Sequence, residues 1–418
     1  MTASQQLLLG EGPVAAAGAY QIQRSLRFNS ADSAYLNRTP ASAGNRKTWT
    51  LSMWVKRSAL GSDQTLLGVN ATTDYTQFKF SSSDTLRLYL DVDALNYAVE
   101  VPTVVWRDPS AWYHIVLAMD TTQATSTNRV KIYVNGVQQT VSAISGFNIP
   151  AQNWDTDVNS TLPHAIGNFN YLNTQYLSGY MTEVNFIDGQ ALDPTSFGEY
   201  NTDTGVWQPK AYSGTYGTNG FYLNFSDNST TAALGTDYSG NSNTWTTNNF
   251  SVTAGSGNDS MTDVPTPWIP YNTTGDVGGV VRGNYATWNP TSSNYGQAAA
   301  SLSNGNLEFN GQSSYTNADS SLAVSSGKWY HEVTVTGSIA QASEIIIGWN
   351  RPGSYGSTLG LRANAATSNL TITSGSAFSY TVNDVIGIAL DYDAWQVTYY
   401  KNGTQQFVAT ITASKPTA

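Results

Sequence analysis

The feature that most limits what this chain can fold into is a period-two alternation of apolar residues, recurring from one end to the other. Leu86, Leu88, Leu90 and Val92 point one way while Arg87, Tyr89 and Asp91 point the other. Ile115, Leu117 and Met119 alternate with His114, Val116 and Ala118, and Val130, Ile132 and Val134 alternate with Lys131 and Tyr133. Ile386, Ile388 and Leu390 repeat the pattern late in the chain, as do Val333 and Val335. Side chains of a strand alternate between faces, so such segments bury one face and wet the other, as in antiparallel sheets. Helical periodicity is hard to find. Asn135–Gly136 and Asn402–Gly403 follow strand-like runs, and both central residues of a type I′ turn need positive φ, so each reads as a tight hairpin. The expectation is an all-β chain built from two antiparallel sandwiches.

The chain has 418 residues, enough for two or three domains. The stretch 210–281 is rich in Gly, Ser, Thr, Asn and Pro and reads as a connector; its run Pro265–Pro270 lacks backbone donors and stops sheet pairing. Phe221–Phe225 inside it still reads as a strand, so part of the connector is expected to pack on the first block. The expected division is an extended segment over residues 1–24, a first sandwich over 25–209, the connector over 210–281, and a second sandwich over 282–418. The segment MTASQQLLLGEGPVAAAGAYQIQR lacks a positive start, so it does not read as a secretory signal; it reads as a disordered tail or as a peptide that anchors into a partner.

Composition excludes several functions. The absence of Cys removes disulfides and thiolate metal sites, and the net charge of −10 with dispersed cations argues against a groove for nucleic acid or an anionic membrane. No apolar run approaches the roughly 18 residues that span a bilayer. Only three histidines are present, His114, His164 and His331, with no His cluster, phosphate loop, dinucleotide fingerprint or G-x-S-x-G elbow. His114 and His331 sit within strands and read as packed; His164 follows Pro163 on a loop and is the one to watch.

Several motifs carry family resemblances. WTLSMWVKR (Trp49–Arg57), AWYHIVLAMD (Ala111–Asp120), VKIYVNGVQQ (Val130–Gln139), AIGNFN and YLSGYMTEVNFIDGQALDPTSFGEY occur in the order of a LamG-like jelly roll of the concanavalin A lectin/glucanase superfold. GKWYHEVTVTG (Gly327–Gly337), EIIIGWN (Glu344–Asn350) and NDVIGIALDYDAWQVTYYKNGTQ (Asn383–Gln405) resemble a SPRY (B30.2) domain, another sandwich of concanavalin-like architecture. After KNGTQQFVATI that family continues with a further strand, so the expectation is that a neighbour supplies it, that the fold closes differently, or that the second sandwich is incomplete at the C-terminus. The segment Tyr176–Asn249 resembles, by composition, structural proteins of tailed phages.

These resemblances imply a non-enzymatic protein of a tailed-phage virion: a tail fibre or host-attachment protein whose lectin-like modules bind a host cell-surface glycan. Its implied partners are other virion proteins, through the N-terminal segment, and further copies of itself, a trimer in fibres. A capsid decoration or surface-fibre protein is a close variant. Glucanases of the superfold are the alternative of another class, but their E-x-D-x-E strand is absent; Glu183–Asp188 reads E-V-N-F-I-D. The low charged fraction, 11%, with many Tyr, Trp, Asn and Thr suits glycan contact. Candidate loop aromatics for such contact are Trp154, Phe169, Tyr171, Tyr176 and Trp245, each also readable as packing. No cofactor is expected. Calcium is the one candidate ion, on Asp155 and Asp157 in a D-T-D loop, for which a solvated loop face is the alternative.

Overall fold

A computed structural model describes residues 6–9, 20–70, 75–92, 96–265, 282–291, 301–311, 318–337, 346–349 and 359–412. The described residues are all β, with strands joined by turns and four one-turn 3-10 segments. The connector's Pro267–Pro270 lies outside them. Two units separate, one of residues 15–284 and one of residues 1–14 with 285–418.

The larger unit is a sandwich of two antiparallel sheets. One runs Val137–Gln138, Val130–Val134, Trp112–Asp120, Thr48–Arg57, Gly179–Asp188, Ser25–Phe28 and Ser260–Met261, with Phe221–Leu223 also paired to Gly179–Asp188. The other runs Ser142–Ala143, Tyr97–Glu100, Leu86–Val92, Tyr75–Phe80, Gln64–Asn70, His164–Ile166, Tyr35–Arg38 and Thr246–Asn248. The alternation sets the core between them: Leu86, Leu88, Leu90, Phe78 and Phe80 from one sheet meet Trp49, Leu51, Ile115, Leu117 and Met119 from the other, all buried. Burying each such side chain contributes about 1.5–3 kcal/mol. Asn135 and Gly136 have φ of 49° and 81°, the left-handed pair a type I′ hairpin requires.

The outer face of the first sheet is also covered, which alternation alone does not reveal. His114 points outward and is stacked between Trp54 at 4.9 Å and Trp207 at 5.9 Å. Further along, buried Arg27 pairs with Asp259 and buried Lys56 with Asp263, both at 2.8–2.9 Å. Segments 198–216 and 250–264 thus clamp that face through rings and ion pairs.

In the second unit a six-stranded antiparallel sheet runs Gln6–Leu9, Lys328–Thr334, Val385–Asp391, Gln396–Lys401, Thr404–Ile411 and Leu370–Gly375. A three-stranded sheet of Ile346–Trp349, Leu359–Arg362 and Thr367–Ser368 lies against it, tied by the Tyr399 hydroxyl, which donates to the carbonyl of Ile347 at 3.2 Å. Ile386, Ile388, Val397, Phe407 and Leu361 fill the core. Asn402 and Gly403 take φ of 50° and 78°, completing the second Asn-Gly hairpin. The strand ending KNGTQQFVATI is paired on both sides, and residues 6–9 of the N-terminal segment pair antiparallel with Lys328–His331. Part of the expected anchoring peptide is therefore a strand of the chain's own sheet.

Candidate functional site

The second sheet of the first sandwich is the one whose outer face carries open aromatic surface. With Phe78, Phe80, Leu88 and Leu90 turned inward, alternation sends Tyr75, Gln77, Lys79, Arg87 and Tyr89 outward. The loop 167–178 folds back over this face. Gly167 (φ 82°), Asn173 (51°) and Gln175 (54°) supply left-handed turns, and Phe169 and Thr174 form an antiparallel bridge. Gly68 lets the loop approach: a β-carbon there would lie 2.7 Å from the Asn168 carbonyl oxygen and 2.9 Å from Asn170 Oδ1.

Five rings gather as a result. Tyr75 lies 4.8 Å from Phe169, 5.5 Å from Tyr171 and 6.4 Å from Tyr89, measured between ring centroids, and Tyr89 lies 5.7 Å from Phe147. Phe169 is buried and anchors the group, whereas Tyr75, Tyr89, Phe147 and Tyr171 are half-buried and Leu172 at the loop tip is 61% exposed. Among the rings runs a polar ridge. Gln77 Nε2 donates to Thr65 Oγ1 at 2.7 Å and to Gln175 Oε1 at 2.8 Å, and Lys79 Nζ donates to the same Gln175 oxygen at 3.3 Å. Lys79 is paired with Asp63 at 2.8 Å and lies 5.1 Å from the Tyr89 ring centre; Arg87 is paired with Glu100 at 2.9 Å. Both amide atoms of buried Asn168, and Oδ1 of Asn170, have no protein partner. Each cation of the ridge is thus matched by a carboxylate, leaving flat apolar rings beside amides. That combination stacks on apolar faces and hydrogen-bonds neutral hydroxyls.

Of the residues singled out in the sequence, Phe169 and Tyr171 are brought together here. Tyr176 stands apart, 6.1 Å from Tyr35. Trp154 packs edge-on against Tyr97 at 5.0 Å and against the main core. The expectation for Trp245 is corrected: it is 2% exposed, edge-on to Phe221 at 4.9 Å, because the strand Thr246–Asn248 seals the end of the second sheet and drives the indole inward. The remaining sequence candidates are Asp155 and Asp157, the pair expected to hold calcium. Asp157 faces Arg46 at 3.5 Å and Asp155 is exposed, and among the described residues no group of three or more His, Asp or Glu could hold an ion. The rings missed in the sequence are Tyr75, Tyr89 and Phe147. Tyr89 carried a signal, being the aromatic on the wet side of an alternating strand.

Four other buried titratable groups of this unit are held in hydrogen bonds. Burial pushes His114 down to about 3; its Nδ1 accepts from Trp207 Nε1 at 3.0 Å, so the proton lies on Nε2, which faces Ser52 at 2.9 Å. His164 is buried and pushed down to about 4, accepting from the Asn159 amide at 3.0 Å and meeting the Leu162 carbonyl at 2.7 Å. Asp188 accepts from the Asn45 and Asn219 amides and from Asn159 Nδ2, at 2.7–3.0 Å. Glu183 is raised by burial to about 7 and accepts from the hydroxyls of Tyr20 and Tyr222.

Residues 29–196 match the family model Laminin_G_3, of the concanavalin A-like lectin/glucanases superfamily, and residues 328–417 match the SPRY domain. The chain therefore carries a LamG-like concanavalin A-like domain followed by a SPRY domain. A search of curated proteins finds no match. Among solved structures, a putative carbohydrate binding protein from Bacteroides ovatus is 17% identical, over 55% of this chain and 59% of that one, with a TM-score of 0.32. Domains LG4-5 of the mouse laminin alpha1 chain are 11% identical over 98% of this chain and 84% of that one, with a TM-score of 0.32. The CBM40 of a Ruminococcus gnavus IT-sialidase, bound to alpha2,3 sialyllactose, is 13% identical over 39% and 86%, with a TM-score of 0.25. The chain thus spans under two thirds of the length of the first of these structures.

Proposed function

We propose that this chain is a non-enzymatic glycan-binding protein, with the aromatic face of its first sandwich as the binding site. One observation carries the reading: Tyr75, Tyr89, Phe147, Phe169 and Tyr171 cluster beside amides on an outer sheet face where every cation is already paired. Rings stack on the apolar faces of sugars, while the half-buried Gln175 offers an amide contact to hydroxyls. The finer reading places the chain on a tailed-phage particle as a tail fibre or host-attachment protein. It is supported by the composition of Tyr176–Asn249 and by the tandem of LamG-like and SPRY modules. Several weak sites on an oligomer, a trimer in the fibre case, would then act together by avidity.

A glycan array probed with the full chain tests the binding reading: retention of a defined oligosaccharide, recovered unaltered after long incubation, is the expected result. Release of shorter sugars would replace it with the hydrolase reading. Labelling of intact particles with an antibody to the chain tests the placement, with signal at the tail or particle surface expected.

A further inference from the structure

The clamp around Lys56 contains more than an ion pair. Lys56, on the strand Thr48–Arg57, is fully buried, and its Nζ contacts two groups at 2.8 Å: Oδ2 of Asp263 and Oδ1 of the Asn284 side-chain amide. Asp263 is 3% exposed and its second oxygen accepts from Trp112 Nε1 at 3.0 Å. Trp112 and Tyr180, 6.5 Å apart, wall the site, with Nζ 5.9 Å from the Tyr180 ring centre. Backbone pairing holds the reactants in register: Asp263 bridges Gly283, and the Val264 amide donates to the Gly283 carbonyl at 2.9 Å. Asn284 Nδ2 donates to the Ser110 carbonyl at 2.7 Å, which fixes the amide plane with its oxygen toward Nζ.

A lysine amine, a carboxyl group in contact with it and a side-chain amide within hydrogen-bond reach are the complete set for an amide exchange. We propose that Lys56 and Asn284 join in an intramolecular isopeptide bond, with Asp263 as the proton-transfer group. Nζ passes one proton to Asp263 Oδ2 and its lone pair attacks Cγ of Asn284, forming the Nζ–Cγ bond. The tetrahedral centre collapses as the Asp263 carboxyl relays a proton to Nδ2, the Cγ–Nδ2 bond breaks and ammonia leaves, carrying the surplus proton as ammonium. No oxidant, reductant or co-reactant is consumed. Asn284 itself is exposed, so ammonia has a path to water. The ridge of the glycan face offers a contrast: Lys79 also meets a carboxylate and an amide, but Gln175 is at 3.3 Å and Asp63 is 34% exposed, which keeps that pair hydrated. The bond would tie a central strand to the last residue of its unit, closing a long loop and limiting the unfolded state.

Intact mass spectrometry of the purified full chain tests this. The expected mass is lower than the sequence mass by one ammonia, and proteolysis is expected to yield a branched peptide joining Lys56 to Asn284. Lys56→Arg, Asp263→Asn and Asn284→Ala are each expected at full mass; the last alters an exposed side chain and so keeps the fold, which a thermal melt verifies. A wild-type chain at full sequence mass overturns the proposal. So does an ammonia loss that maps to ring closure at Asn135 or Asn402 rather than to the branched peptide.

Discussion

The indole N–H of Trp207 donates to Nδ1 of His114 at 3.0 Å while the two rings stack, joining a hairpin late in the first unit to the centre of its first sheet. This contact makes the segment after residue 190 part of the sandwich. Trp207→Ala is expected to cost about 3–5 kcal/mol, from lost burial and the gap left behind. Trp207→Phe keeps a ring but orphans a buried acceptor, at about 1–3 kcal/mol. Urea unfolding followed by fluorescence checks both values; equal midpoints for wild type and Trp207→Ala would contradict the role.

Glu183 sits among Tyr20, Tyr222 and Tyr216 with its carboxyl raised to about 7 by burial. The folded value lies above the unfolded one, so its contribution is complete below the ordinary carboxylate range and fades as pH rises toward 7. Glu183→Gln is expected to remove the stability that Glu183 adds at pH 5 and loses by pH 8, so stability at pH 5 falls relative to that at pH 8 in the variant. Denaturant midpoints at the two values measure this, and an unchanged difference would contradict it.

The histidines act in the opposite direction. His114 and His164 are held neutral, at about 3 and 4, so the unfolded chain takes up protons that the folded one refuses once pH falls below about 6.5. In a Glu183→Gln background, where the opposing dependence is silenced, stability is expected to drop steadily between pH 6.5 and pH 4. A flat profile over that range would show that these rings are not buried as described.

Arg27 and Asp259 form a buried pair at 2.9 Å that holds segment 250–264 on the sheet. Asp259→Asn leaves an uncompensated buried guanidinium and is expected to cost about 3–5 kcal/mol. Loss of protection in residues 250–264 by hydrogen exchange would accompany it. A substitution cost below roughly 1 kcal/mol, the value of an exposed pair, would mean that the pair is hydrated.

Much of this architecture was readable before any coordinates. Alternation at Leu86–Val92 and Ile115–Met119 placed strands and their buried faces, and the two Asn-Gly steps placed hairpins, because these signals are local. What lay beyond reading was long-range. Nothing near Trp245 says that its strand closes a sheet, so a loop aromatic and a core aromatic look alike in sequence. Likewise Phe169 and Tyr171 meet Tyr75 only when the loop 167–178 folds over Gly68. The Lys56, Asp263 and Asn284 constellation spans three distant segments, and none of them is distinctive alone.

The central claim is that the ring cluster on the outer sheet face contacts sugar, and side-by-side titration of Tyr171→Ala and Trp245→Ala tests it most directly. With the oligosaccharide retained by the wild-type chain, calorimetry is expected to show at least a roughly tenfold weaker affinity for Tyr171→Ala, about the value of one lost stacking contact, at unchanged melting temperature. Trp245→Ala is expected to melt earlier but to bind normally once folded. Undiminished binding by Tyr171→Ala, or binding lost only in folded Trp245→Ala, would contradict the account.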